Sequence, residues 1–81
     1  MAKYSHRFVE TYSGLIGFGA DRRTDESTVF CYLQKFSDDT LMNTILPRLS
    51  DAELSEIFFL ITRVIKKNLT DSEYHELFLK D

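Results

Sequence analysis

The chain has 81 residues, which is room for one domain of ordinary size and not for two. Hydrophobic residues make up 43% of it, including seven Phe and four Tyr, and charged residues 28%, a composition that folds rather than staying disordered. The net charge of −3 argues against duplex nucleic acid as the main partner, since phosphate binding draws its affinity from clustered Lys and Arg.

A domain this short buries only about 60 to 65% of the surface that its unfolded chain exposes, so its stability margin is thin unless association adds to the core. So many large side chains in so short a chain exceed what one small core encloses. An apolar surface patch is therefore expected, and a homodimer would cover it.

Residues 1–23 fit two templates equally. Tyr4, Phe8, Tyr12 and Leu15 have helical spacing, while R-F-V-E-T-Y also reads as a strand. Gly14, Gly17 and Gly19 then interrupt regular structure in G-L-I-G-F-G-A-D-R-R, an apolar stretch ending in a basic pair. The expectation is an irregular or extended N-terminal arm, apolar then basic, ahead of a helical domain over 24–81. Lys3, Arg7, Arg22 and Arg23 against Glu10 and Asp21 give residues 1–24 a charge of +2, leaving −5 for the remainder. Arg7, Phe8, Tyr12, Leu15, Ile16, Phe18, Arg22 and Arg23 are accordingly the candidate partner-contact residues, the arginines facing an acidic partner.

Thr24 or Asp25 can cap a helix through Val29, Phe30, Leu33 and Phe36, although V-F-C-Y-L is also rich in strand formers. Three helix-start signals follow: F-S-D-D-T-L at 36–41, L-S-D-A-E-L at 49–54 and L-T-D-S-E-Y at 69–74. In each, Ser37, Ser50 or Thr70 can accept from a first-turn N–H, and the following Asp suits the positive end of the helix dipole. Glu53 and Glu73, three residues after their caps, complete capping boxes. The apolar pairs Phe36–Leu41, Leu49–Leu54 and Leu69–Tyr74 have the spacing of hydrophobic staples.

These starts predict a short helix over 38–46, with Leu41, Met42, Ile45 and Leu46 on one stripe and Pro47 forbidding a normal continuation. They predict a central helix at about 51–68 whose apolar residues, Leu54, Ile57, Phe58, Phe59, Leu60, Ile61, Val64 and Ile65, cover most of its circumference. A last short helix over 71–79 would turn Tyr74, Leu77 and Phe78 inward. The fold class is thus all-α, a small bundle of three to five helices.

The search for chemistry finds no catalytic, cofactor or metal site. Gly14 to Gly19 read G-x-x-G-x-G with no Lys-Ser/Thr behind them and no βαβ setting, so neither phosphate-loop fingerprint is met. Asp71 and His75 share a helical face, but two ligands are too few for closed zinc coordination. Cys31 is the only cysteine; it can form no intramolecular disulfide, has no neighbouring base or cation to activate it, and is expected to be buried between Phe30 and Tyr32. Glu53 with Glu56, and Glu73 with Glu76, read as solvated acids. The N-terminus lacks the apolar stretch of a signal peptide, and Ile57 to Ile61, the longest apolar run, is far short of the ~20 residues that cross a bilayer.

The sequence reads as a small, cytoplasmic, non-enzymatic protein–protein interaction or regulatory module that self-associates. The alternative is a DNA-binding helix-turn-helix formed by 38–46, the turn, and 51–68. Asp51, Glu53 and Glu56 at the start of its recognition helix would meet the phosphates with the wrong charge.

Overall fold

The computed structural model describes residues 4–81 and is all-α, 72% helical, with five helices and no strand among the described residues. Two compact units divide the chain, Met1–Ile45 and Leu46–Asp81.

The first unit holds α1 (Phe8–Thr11), α2 (Arg22–Phe36) and α3 (Asp39–Ile45). A single helical turn, α1, thus interrupts the residues expected to be irregular, and it packs on α2. Phe8 stacks on Phe30 at a ring distance of 4.0 Å and on Tyr12 at 4.9 Å, and the Val9 N–H donates to Gln34 Oε1 at 2.8 Å.

α2 starts earlier than Thr24 or Asp25. Its cap is Asp21, whose carboxylate accepts from the Thr24 N–H at 2.8 Å and the Thr24 hydroxyl at 3.1 Å. Arg22 and Arg23 therefore lie in a helical first turn. Asp25 is used differently, accepting from the Gly19 N–H at 2.7 Å. The V-F-C-Y-L segment is helical, yet the face it buries is not the apolar stripe expected. Cys31 and Thr28 are the buried residues, with Thr24, Asp25, Ser27 and Gln34 half-buried beside them; of the expected stripe only Phe36 is half-buried, while Val29, Phe30 and Leu33 are exposed. The inward face is polar because the glycine loop docks there: the Gly17 N–H donates to Thr28 Oγ1 at 3.0 Å, and that hydroxyl donates back to the Gly17 carbonyl at 3.3 Å. Gly19 adopts φ 101°, a conformation that disfavours any side chain.

α3 is also capped one residue later than expected, by Asp38, which accepts from the Leu41 N–H at 3.1 Å. Ser37 instead donates to the Gln34 carbonyl at 3.0 Å and meets His6 Nε2 at 2.8 Å.

The second unit begins with a 3-10 turn, Leu46–Arg48, which accommodates Pro47 after the preceding α-helix ends. Then comes α4 (Asp51–Asn68), with the expected bounds and a complete capping box. Glu53 N–H donates to Ser50 Oγ at 3.1 Å, and Ser50 N–H donates to Glu53 Oε1 at 2.9 Å. Thr70 and Glu73 repeat the arrangement at 3.2 and 2.9 Å. They start α5 (Asp71–Glu73), but α-helical winding lasts only those three residues before a π-helical segment, Tyr74–Leu79, takes over. The wider winding brings residues five apart onto one side. Tyr74 and Leu79 are accordingly the half-buried pair, and Leu77 and Phe78, expected inside with Tyr74, are 53% and 44% exposed.

Candidate interaction surface

In the first unit the sequence-predicted contact residues separate into two groups. Phe8 and Tyr12 are half-buried against α2, whereas Leu15 and Phe18 are each 77% exposed and Ile16 is 47% exposed. The loop holds these side chains outward because its backbone is tied down elsewhere: Gly17 and Gly19 bond α2, and the Tyr12 hydroxyl donates to the Leu15 carbonyl at 3.0 Å. Gly14 is required by the same closure, since a Cβ there would meet the Tyr12 ring. The Gly17 and Gly19 amides are thus taken by Thr28 and Asp25.

Arg23 borders a shallow cleft with Phe8, Tyr12 and Leu15. Arg22 is held by Glu26 in an i,i+4 ion pair at 2.6 Å, so part of the expected basic face is neutralised on its own helix. Lys3, which would complete that face, lies outside the described residues. The charge that stands out is Asp21, whose pKa is lowered by the Thr24 backbone and hydroxyl bonds and, less, by nearby Arg23.

In the second unit the surface is α4, where Phe58, Phe59, Leu60, Ile61 and Val64 all have 44–66% of their area exposed. Phe58, Ile61, Thr62 and Ile65 form one stripe, lining a groove whose opposite wall is Leu69, Tyr74 and Phe78. Tyr74 and Phe78 stack at 5.5 Å, so that wall is itself ordered. At 100° per residue, a second stripe lies roughly 150° round the helix and carries Ile57, Leu60 and Val64 with Glu53, Glu56, Arg63 and Lys67. Spacing in the sequence showed that α4 was apolar nearly all round. It did not show that the C-terminal segment would occupy one side only.

Cys31 is buried, 4% exposed, as expected of a small apolar side chain. His75 faces Asp81, not Asp71, at 3.3 Å. Among the described residues no group of three or more His, Cys, Asp or Glu is placed to hold a metal ion, and no helix is long and apolar enough to cross a membrane.

No family model, curated protein or solved structure matches the chain.

Proposed function

We propose that this protein is a non-enzymatic interaction module that works as a homodimer. The observation that carries the reading is surface. Within the first unit Leu15 and Phe18 are each 77% exposed, and within the second Phe58, Phe59, Leu60, Ile61 and Val64 of α4 keep 44–66% of their area exposed, more large apolar surface than single scattered side chains would leave in water.

The chemistry of that surface supports the same reading. Leu15, Phe18, Tyr32, Leu33, Phe58 and Phe59 are each at least 60% exposed, and side chains of this type gain about 1.5 to 3 kcal/mol apiece on full burial. A helix-turn-helix reading fits less well, because the first turn of α4 carries Asp51 and Glu53, the latter committed to its capping box.

Gel filtration coupled to light scattering, over a concentration series, tests the proposal. The expected mass is twice 9.5 kDa at micromolar concentration. A strict monomer at every concentration, which also fails to bind a hydrophobic dye, overturns it.

A further inference from the structure

The exposed stripe of α4 carries information about how two copies would meet. Its charges are segregated along the helix: Asp51, Glu53 and Glu56 occupy the N-terminal end, and Arg63, Lys66 and Lys67 the C-terminal end. Between them stand Ile57, Leu60 and Val64, with Leu60 50% and Val64 48% exposed and Ile57 half-buried. The separations from Glu53 through Ile57, Leu60 and Val64 to Lys67 alternate in fours and threes, the spacing of a seam that packs against another helix, and Glu56 and Arg63 flank that seam. The groove to Tyr74 and Phe78 lies on the other side of α4, so the C-terminal segment leaves this stripe open.

The stripe is also close to its own reverse complement. With a second copy laid antiparallel and the dyad at Leu60, Glu53 faces Lys67 of the partner subunit, Glu56 is level with Val64 of the partner subunit and one residue's rise from Arg63 of the partner subunit, and Ile57 is level with Arg63 of the partner subunit. Leu60 meets Leu60 of the partner subunit, and the twofold axis repeats every pairing. A parallel pairing in register instead sets Glu53, Glu56, Arg63 and Lys67 each against its own like charge, which is repulsive at all four positions.

We infer that the stripe Glu53–Glu56–Ile57–Leu60–Arg63–Val64–Lys67 of α4 is a docking surface for a second copy of this chain, packed antiparallel about Leu60. The inference rests on the self-association proposed above and adds its orientation and register. The capping box fixes where the acidic end begins, because Glu53 is held in the first turn by Ser50. The lysines in the last turn complement the helix dipole and carry the opposite sign that a reversed neighbour requires.

Site-directed disulfide trapping tests it, with Glu56→Cys and Val64→Cys made as separate full-length variants and buried Cys31 retained in every sample. In the antiparallel register position 56 of one copy lies beside position 64 of the other. Two copies of position 56 are then about 12 Å apart along the axis, beyond the ~7 Å Cα separation that a disulfide tolerates. Mild oxidation of a one-to-one mixture is expected to give the mixed disulfide dimer, at a yield at least fivefold above either variant alone.

Homodisulfides of each variant alone, without the mixed species, mean a parallel pair and overturn the orientation. A dimeric mass by light scattering with no cross-link overturns the register while leaving self-association standing. A monomeric mass overturns both. Ile57→Cys with Arg63→Cys, opposed in the same register, is the independent second pair should Val64→Cys lose its helical circular dichroism.

Discussion

Asp21 and Thr28 show what single side chains contribute. The Asp21 carboxylate is stabilised in its charged form by the Thr24 N–H and hydroxyl, so its pKa in the folded chain lies below the ordinary 3.8. A lowered carboxylate pKa supplies stability that is present above 3.8 and is lost as pH falls through the folded value. Asp21→Asn keeps a capping oxygen without a titrating group. Urea midpoints measured from pH 6 to pH 2 are therefore expected to fall further for the native chain than for Asp21→Asn below pH 3.8, and parallel curves would remove Asp21 from the acid response. Thr28 is buried with both hydroxyl functions spent on Gly17. Thr28→Val keeps its shape and should cost about 1 kcal/mol, with faster hydrogen exchange at the Gly17 amide as the local sign. Neither role is visible in the sequence. Asp21 lacks a Glu three residues on, and Thr24 and Asp25 compete as caps in the reading of the chain. The Gly17–Thr28 bond joins residues from a loop and a helix that no local pattern connects.

At the scale of elements, the helices with complete capping boxes were the legible ones. Ser50 with Glu53 marked the start of α4 correctly because both halves of the box lie within four residues, and Thr70 with Glu73 did the same for α5. Ser50→Ala is expected to destabilise the chain by about 1 kcal/mol in urea titration, with amide exchange rising first at the start of α4. A change confined to residues distant from Ser50 would contradict that role. What local spacing could not supply was the choice of face. α2 has two usable sides, and the glycine loop selects the polar one through Thr28, which leaves Val29, Tyr32 and Leu33 outside. The winding of residues 74–79 is the same kind of outcome: Tyr74, Leu77 and Phe78 suit an α-helix by spacing, but the segment winds as a π-helix and turns Leu77 outward.

For the whole molecule, composition foretold more large apolar side chains than a small core encloses, and the exposed loop and α4 are where they emerge. The location of those faces had to await the structure, whereas the charge order along α4 was already present in the chain. That order gives the molecule a salt response whose sign can be set by one residue. In the antiparallel pair Glu56 lies near a cation of the partner, so raising sodium chloride from 0.05 to 0.5 M screens an attraction and weakens the native dimer, by roughly 2- to 5-fold in Kd for exposed pairs of this kind. Glu56→Lys places a cation there instead, and its two symmetry-related contacts become repulsive. Its dimer is expected to be weaker than the native one by about 5- to 30-fold at low salt. Salt should then strengthen it, because screening now relieves repulsion while the apolar contribution of Ile57, Leu60 and Val64 is little changed by sodium chloride. Adding Arg63→Glu to Glu56→Lys restores opposite charges across the seam and returns the native direction. Sedimentation equilibrium at the two salt concentrations reads all three signs. A Glu56→Lys dimer that weakens with salt in parallel with the native protein would place Glu56 away from the interface.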